Sequence, residues 1–357
     1  MKTIGLIVAT TIMAESNAQT LDWHRLPDLP DSLGRAGMFA GVTSGRHVVA
    51  GGANFPAGYP WEGGKKAWHD DVYVLHPGAE EWETSTVRLP VGLGYGVTGS
   101  YNDRIYLVGG STPTEHRSDV LVLHWDNNTL QLDSGPSLPQ PLANMAGTSV
   151  GSLLVVVGGM ESPTGPPLNV CYGLDMENPD AGWFPLPTWA GEARLFPVTG
   201  SYAGELYMFS GETTWTTEKG TSRRHVLEDV HRFTPIHENG VWTGQWTPLG
   251  DMPKGVSAGA NPAPLIDGQM LFWGGVDRLT ALHTDPPNHP GIDRTLVWYN
   301  PADDLWSFGT ETEKPGSRVT LPTVLWNEKT YYISGEIRPG VRTPEILGLG
   351  DQTGGSQ

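Results

Sequence analysis

A short, strand-like run that ends in two small residues occurs six times along the chain. The ending is Gly-Gly in four copies and Ser-Gly in two. Measured at the second small residue, successive copies lie 58, 49, 52, 64 and 60 residues apart. Self-similarity at a period of roughly 50 residues is typical of repeat folds. The pairs are 51–52, 109–110, 158–159, 210–211, 274–275 and 334–335.

Three further patterns keep the same phase as the small pairs. A Gly- or Ala-containing strand precedes each pair, as at 35–39 and 95–99. An Asp-Val strand follows several pairs, as at 71–75, and a Trp-x-x-Leu strand closes the unit, as at 183–186 and 246–249. Four strands per repeat and six repeats predict an all-β, six-bladed kelch-type β-propeller. In such inner strands the glycine pairs permit close backbone approach, so we interpret them as structural and not as phosphate-binding loops.

The sixth repeat has no closing strand of its own, because only a polar tail follows 345–349. The segment 21–27, with Trp23 and Leu26, reads like the closing strands of the other repeats. We therefore predict that the N-terminal strand joins the C-terminal blade and closes the ring. Closure of this kind removes two exposed sheet edges.

The first 18 residues resemble a cleaved secretion signal. Lys2 precedes an apolar run from Ile4 to Ala14, and 16–18 supply small residues where a signal peptidase would need them. A buried N-terminal strand is the alternative. We expect a signal peptide at 1–18, one propeller domain over 19–357, and a periplasmic or secreted protein.

Charge and cysteine content exclude several classes of function. The 22 Lys and Arg against 39 Asp and Glu give a net charge of −17, which disfavours binding to nucleic acid or to anionic membranes. The single cysteine, Cys171, excludes an intramolecular disulfide and a thiolate-rich metal site. We expect a small-molecule partner; the sequence leaves the oligomeric state open.

Two enzyme classes built on propellers fit poorly. The Ser-x-Asp-x-Gly-x-x-Trp turns of sialidases do not occur. Copper-radical oxidases need a Cys beside a Tyr ligand, but Cys171 and Tyr172 adjoin in a predicted strand, where neighbouring side chains point to opposite faces. The histidines show no metal-binding spacing, so we expect no metal and no cofactor.

The loops that follow the inner strands combine aromatic and polar groups, which suits a sugar. In the longest, 51–70, Tyr59, Trp61 and Trp68 could stack on a sugar or simply pack the loop against its blade. Three arginines recur at a similar phase, and they either collect an anion at the channel mouth or pair with an acid of the next blade. They are Arg35, Arg194 and Arg318.

The segment 334–343, Ser-Gly-Glu-Ile-Arg-Pro-Gly-Val-Arg-Thr, closely resembles the Gly-Glu-x-x-Pro-Gly-x-Arg-Thr segment of the bacterial sialic acid mutarotases, also called N-acetylneuraminate epimerases. In that family the segment lies in a middle blade and supplies a glutamate proton acceptor and an arginine. Here it lies in the last blade, and the loop at 51–55 and residues 94–97 resemble the family blades that follow it. The chain thus resembles a cyclically permuted branch of the family, over essentially the whole mature length.

The resemblance implies a metal-independent isomerase that interconverts the α and β anomers of a sialic acid by acid–base catalysis. Glu336 and Arg342 are the expected catalytic residues, and Glu212, at the same phase in the fourth blade, is the rival acceptor, although we find no arginine counterpart for it. A non-catalytic sugar- or protein-binding propeller and a mutarotase of another sugar remain alternatives. The expected substrate-binding residues are Arg35, Arg194, Arg318, Asn54, Arg338 and Glu212.

Overall fold

The computed structural model describes residues 21–283, 285–309 and 317–350. The predicted signal peptide therefore lies outside the described residues. The described chain is built from strands with four short 3-10 helices, none of which has the length and apolar character needed to cross a membrane. The 3-10 helices are Pro60–Glu62, Pro179–Ala181, Thr280–Leu282 and Pro286–Asn288.

The first three blades are antiparallel sheets that run outward from the channel in chain order. A preceding strand, β1 (Asp22–Leu26), belongs to the last blade. Blade one contains β2 (Ala36–Thr43), β3 (Arg46–Asn54), β4 (Ala67–Trp68), β5 (Asp71–Leu75) and β6 (Glu83–Arg88). Blade two contains β7 (Val97–Tyr101), β8 (Arg104–Val108), β9 (Val120–Asp126) and β10 (Thr129–Ser134). Blade three contains β11 (Ala146–Val150), β12 (Leu153–Val157), β13 (Cys171–Asp175) and β14 (Phe184–Pro185).

The last three blades follow the same plan, and blades four and six carry an extra hairpin at the mouth. Blade four contains β15 (Val198–Tyr202), β16 (Glu205–Phe209), the hairpin β17 (Glu212–Thr216) and β18 (Ser222–Val226), β19 (Val230–Glu238) and β20 (Val241–Pro248). Blade five contains β21 (Ala260–Asn261), which pairs with the sixth sheet, then β22 (Leu265–Ile266), β23 (Gln269–Trp273), β24 (Leu296–Asn300) and β25 (Leu305–Phe308). Blade six contains β26 (Leu321–Trp326), β27 (Lys329–Ile333), the hairpin β28 (Glu336–Arg338) and β29 (Val341–Arg342), and β30 (Ile346–Gly350).

The predicted ring closure is confirmed. Strand β1 pairs antiparallel with β30, with Trp23 opposite Leu349 and Leu26 opposite Ile346. The Trp82 indole of blade one then donates a 2.9 Å hydrogen bond to the carbonyl of Pro27, just after β1. The N-terminal strand is thus both the outer strand of blade six and a contact for blade one. The six-bladed, all-β propeller is the fold that the repeats predict.

A closed ring of backbone hydrogen bonds surrounds the axis where each blade begins. One residue per blade donates its amide to the carbonyl of its counterpart in the preceding blade, over distances of 2.7 to 3.0 Å. All six have positive φ, between 50° and 65°, so each turns its backbone in the same left-handed way. This set, which we call the axial ring, consists of Gly37, Tyr95, Asn144, Phe196, Ala258 and Thr320.

The small pairs of the repeat have a conformational cause. All twelve of their residues have positive φ, between 52° and 108°, a region that glycine adopts at little cost. A Cβ on Gly51 would also lie 2.2 Å from the carbonyl oxygen of Leu93 in the next blade. In the two Ser-Gly copies the serine hydroxyl forms a hydrogen bond to a backbone carbonyl: Ser210 Oγ donates to Leu227, and the single hydrogen of Ser334 Oγ lies within reach of the Thr343 and Arg35 carbonyls. The pairs therefore mark the fold, as the sequence predicts.

The apolar core is divided into six clusters, one between each two neighbouring blades. The cluster between blades six and one includes Ile333, Ile346 and Val49, all fully buried. Each cluster fastens two sheets face to face, so the blades hold the loops at the mouth in fixed relative positions.

Candidate active site

One residue of each blade reaches the mouth directly after the small pair. Each of the six pairs its backbone with the residue that precedes the axial ring, as Glu336 does with Val319 and Glu212 with Leu195. Glu212 and Glu336 therefore occupy equivalent positions in blades four and six, as their common phase predicts. These six, the mouth positions, are Ala53, Ser111, Met160, Glu212, Val276 and Glu336.

Glu336 and Arg342 face each other across the β28–β29 hairpin. Their backbones form a cross-strand pair, and Arg342 Nη2 lies 2.7 Å from Glu336 Oε2. Both side chains are mostly buried, 18 % and 5 % exposed respectively. Burial raises the pKa of Glu336 above its ordinary value, although Arg342, the Gly340 amide and Lys66 each favour the charged form. The pair is a carboxylate of raised basicity held beside a cation.

The Arg342 guanidinium keeps unused hydrogen-bond donors. Its carbon lies 4.7 Å from the centre of the Phe55 ring, which belongs to the mouth loop of blade one. Its Nε and Nη1 atoms are buried without a hydrogen-bond partner. Buried guanidinium donors without a partner are costly, so a bound anion would satisfy them.

Lys66 is a site residue that the sequence analysis missed. It adds positive charge near Glu336, and its ammonium lies 4.9 Å from the Trp68 ring centre and 4.0 Å from that of Tyr95, an axial-ring residue. The signal was present in the sequence, since Lys65 and Lys66 form a basic pair in the long first loop of an acidic protein.

The aromatic residues of the 51–70 loop mainly pack against the protein. Tyr59 and Trp61 stack on each other with ring centres 4.6 Å apart. A Cβ on Gly340, in the β28–β29 turn, would meet the Pro60 ring at 2.7 Å and Trp61 at 3.2 Å. The loop of blade one therefore lies against the Glu336 hairpin. Tyr59 is 43 % exposed and Trp68 lies beside the site residue Lys66, so the packing interpretation describes Trp61, and Tyr59 and Trp68 also fit contact with a ligand.

Arg338 lies in the same hairpin as Glu336 but faces another blade. Its Nη2 donates to the Pro287 carbonyl at 3.3 Å, in the long loop of blade five. Its Nε is buried without a partner. The third long loop thus reaches the mouth through Arg338.

Val226 lies opposite Glu212 in the β17–β18 hairpin, so no arginine stands at the position that Arg342 takes in blade six; a cation nevertheless lies nearby. Arg224 Nη1, on the second strand of the β17–β18 hairpin, lies 3.8 Å from Glu212 Oε2. Ser257 of blade five also donates to that carboxylate at 2.9 Å, and Glu212 is 7 % exposed. Arg224 pairs with Thr214, two residues beyond Glu212, so it approaches the carboxylate from a different position than Arg342 does in blade six.

The three recurring arginines are buried in ion pairs of their own blades. Each guanidinium is at most 3 % exposed and bonds to an acid that is the first residue of the third main strand of the same sheet or directly precedes it. Pairing is therefore within a blade and not with the next blade, and no free anion site results from these residues. The pairs are Arg35 with Asp31 (2.8 Å) and Asp71 (2.7 Å), Arg194 with Asp229 (2.6 Å), and Arg318 with Glu345 (3.2 Å).

Asn54 is placed among protein groups and not toward the mouth. It is 1 % exposed, and its amide nitrogen donates to Asp31 and to the Gly34 carbonyl, each at 3.0 Å. Its Oδ1 lies 2.8 Å from His69 Nε2. All its polar atoms are used, so its role in the structure is to fix the start of the loop.

The structure gives no support to a metal centre at Cys171. Cys171 is buried in the cluster between blades three and four, whereas Tyr172 packs against the cluster between blades two and three. The two side chains thus point to opposite faces of β13. Within the described ranges no group of three or more His, Cys, Asp or Glu residues could hold a metal ion.

A separate cavity of about 500 Å³ lies along the axis, lined by the axial ring and the innermost strands. Its polar groups include Thr98, Thr148 and Asn261. Neither Glu336 nor Arg342 lines it, so the candidate site lies at the mouth and not in this channel.

Comparison with known proteins relates the chain to one family. Residues 2–132 match the family model described as N-acetylneuraminate epimerase. The N-acetylneuraminate epimerase of Haemophilus influenzae (strain PittEE) is 37 % identical over 144 residues, which are 36 % of this chain and 38 % of the relative. That of Pasteurella multocida (strain Pm70) is 34 % identical over 147 residues, with the same two shares. These matches span less than two-fifths of the relatives' length.

A solved structure, that of YjhT, shares the fold. It superposes with a TM-score of 0.65 at 13 % identity and covers 92 % of this chain and 98 % of its own. The segment 334–343 lies outside the matched residues 2–132, so the two indications are independent of each other. The resemblance to the N-acetylneuraminate epimerase family that the sixth repeat indicates is thus confirmed by a separate part of the chain.

Proposed function

We propose that this chain is a sialic acid mutarotase, an isomerase that accelerates the interconversion of the α and β anomers of N-acetylneuraminate. The observation that carries the proposal is the Glu336–Arg342 pair at the mouth: a mostly buried carboxylate whose pKa is raised by burial, beside a guanidinium with unused donors.

Mutarotation opens and closes the sugar ring, and the catalytic groups it requires are a proton acceptor and a proton donor. A base removes the proton of the anomeric hydroxyl, the bond between the anomeric carbon and the ring oxygen breaks, and an acid protonates that oxygen. The anomeric carbon becomes a carbonyl carbon; rotation about the neighbouring carbon–carbon bond presents its other face, and reversal of these steps gives the other anomer. No electrons are gained or lost, and the proton taken at one oxygen is matched by the proton given at the other.

Glu336 is suited to the role of base. Its burial makes the carboxylate more basic than an exposed glutamate, while Arg342 and Lys66 favour the ionised form that accepts a proton. The Gly340 amide also favours the ionised form. The hairpin therefore supplies a carboxylate that is both ionisable and a good proton acceptor.

Arg342 and Lys66 supply the positive charge for the sugar's own carboxylate. Arg342 Nε and Nη1 have no protein partner, and Lys66 adds charge from the opposite loop. A guanidinium binds carboxylates through directed, charge-assisted hydrogen bonds. In a protein of net charge −17 this local cation pair is what would permit an acidic sugar to bind.

The test is proton NMR of freshly released α-N-acetylneuraminate with and without the purified protein. The anomers should equilibrate faster with the wild-type chain than in buffer, and the Glu336→Gln variant should lose most of that acceleration. A wild-type rate equal to that of buffer would refute the proposal. Dialysis against EDTA should leave the rate unchanged, since the proposed steps use no metal.

We further propose that the chain is exported and that residues 1–18 are removed. The support is the apolar run after Lys2 and the small residues at 16–18. Mass spectrometry of the protein recovered from its native compartment should give a mature chain that begins near Gln19. A chain that retains Met1 would contradict this.

A further inference from the structure

Blade two repeats the backbone arrangement of the Glu336 hairpin. Ser111 pairs with Gly94 on one side and with His116 on the other, as Glu336 pairs with Val319 and Arg342. The residues that follow His116 and Arg342 donate their amides to the carbonyl of the glycine that ends the small pair. These bonds run from Arg117 to Gly110 at 2.8 Å and from Thr343 to Gly335 at 3.1 Å. His116 therefore takes the position in blade two that Arg342 takes in blade six.

The His116 imidazole is buried without hydrogen bonds. The residue is 6 % exposed, and neither Nδ1 nor Nε2 has a partner. Burial lowers its pKa, and the nearby Glu115 carbonyl raises it by less. A neutral imidazole carries one N–H donor and one acceptor nitrogen, and both are left unsatisfied, which is unfavourable for the protein alone.

A second buried histidine, His47, has a structural role and serves as a comparison for His116. His47 is also fully buried with both nitrogens unpartnered, but it lies at the start of β3, in the core between blades six and one. The rings of Trp82, Trp326 and Tyr331 surround it, with centres 5.3, 5.5 and 6.2 Å away. His116 instead lies at the mouth, beside Ser111.

We propose that His116 is a substrate-contacting residue, which binds a neutral hydroxyl or amide group of the sugar while Arg342 binds its carboxylate. This inference rests on the proposed mutarotase function. Because the contact of the ring with the Glu115 carbonyl lacks full hydrogen-bond geometry, a rotation that brings a nitrogen to the ligand gives up little. Hydroxyl and amide groups both donate and accept, which matches a neutral imidazole.

The two polar pairs lie on either side of blade one. The mouth position of blade one is Ala53, a small side chain, and the residue opposite Ala53 is Trp68, at the position that Arg342 and His116 take in their own blades. The pairs Glu336–Arg342 and Ser111–His116 thus flank Ala53 and the Trp68 ring. Lys66 spans the same interval, since it extends from the blade-one loop to Tyr95 of blade two.

The experiment compares His116→Leu, His116→Gln and the matched control His47→Leu. Loss of one hydrogen bond to the substrate should raise KM for anomerisation about 3- to 10-fold in His116→Leu. The melting temperature should stay the same or rise, because an unsatisfied buried polar group is removed. Gln keeps a donor and an acceptor and should recover part of the affinity. His47→Leu should leave KM unchanged. Equal KM values for wild type and His116→Leu would overturn the inference.

Calorimetry separates this inference from the proposed function. N-acetylneuraminate and analogues that lack single hydroxyls or the N-acetyl group are titrated into wild type and His116→Leu. One analogue should bind equally to both proteins, because the group that His116 contacts is absent. If the wild type binds the sugar without accelerating anomerisation, the proposed function fails. The comparison of analogue affinities between wild type and His116→Leu then still tests whether His116 contacts the sugar. If no analogue binds equally to wild type and His116→Leu, or if the wild type binds no sugar, the inference is wrong.

Discussion

Arg342 Nη2 lies 2.7 Å from Glu336 Oε2, and the two residues are directly opposite in the β28–β29 hairpin. The base and its cation are therefore set by one short element. Removal of Arg342 takes away a charge that favours the ionised form of Glu336, so activity of these variants should be measured as a function of pH and together with a check of folding.

Glu336→Gln should reduce the acceleration of anomerisation by about 10²- to 10⁴-fold, the usual contribution of a positioned base. Glutamine is nearly isosteric and cannot accept the proton, so circular dichroism should stay close to that of the wild type. The melting temperature should fall, because the buried Arg342 loses its acid. Glu212→Gln is the matched control, at the equivalent position of blade four. A correctly folded Glu336→Gln variant of normal activity, with the loss in Glu212→Gln instead, would transfer the role to blade four.

Arg342→Lys should lose nearly as much activity as Arg342→Ala, within about tenfold, because an ammonium does not reproduce the directed donors of a guanidinium. Lysine also loses the planar contact with Phe55. The measurement is kcat/KM for both variants at one pH. Normal activity in both would remove Arg342 from the site.

The pH profile of kcat/KM should fall on the acid side with a midpoint above the ordinary glutamate pKa of about 4.3. The sign follows from burial, which raises the pKa of Glu336, so protonation removes the base at a higher pH than in an exposed residue. Arg342 opposes that rise. Its removal in Arg342→Ala should therefore move the midpoint further upward, and a downward or absent shift would contradict the assignment.

Asp229→Asn should destabilise the fold by about 3–5 kcal/mol, because it leaves the fully buried Arg194 without its acid. Burial alone would raise the pKa of Asp229, but hydrogen bonds from His231 and Arg194 outweigh it and hold that pKa far below its ordinary value. A depressed folded pKa gives stability that is present above the unfolded pKa and is lost as the pH falls below about 4. Urea unfolding at neutral and acid pH checks this: the Asn variant should show less loss in acid than the wild type.

A chain that starts at Ser32 should melt well below one that starts at Gln19. The truncation removes β1, its five-residue pairing with β30, and the contact of Trp23 with Trp273, whose rings are 4.6 Å apart. A chain that starts at Leu21 keeps β1 and is the control. Equal thermal stability of the two truncated chains would contradict closure by the N-terminal strand.

The sequence predicts the blades more reliably than it predicts which charged residues form ion pairs with each other. The small pairs are visible because a positive φ at Gly51 or Ser334 restricts the residue type locally, without reference to the rest of the chain. An ion pair such as Arg194 with Asp229 depends on which strands adjoin, and spacing alone does not show that the acid lies in the same blade. Lys66 was missed for a related reason: its distance to Tyr95 is set by how a long loop folds back.

The axial ring has one more consequence, for how this scaffold can change. Its hydrogen bonds use only backbone groups, so the side chains at the six positions can differ where a positive φ and the space allow; at Gly37 a Cβ would lie 2.7 Å from the Tyr95 ring. In this chain they range from Gly37 and Ala258 to Tyr95 and Phe196. Substitution there would widen or narrow the passage between the mouth and the channel while the hydrogen bonds of the axial ring stay intact. The width of this passage can therefore change without loss of the hydrogen bonds that join the blades around the axis.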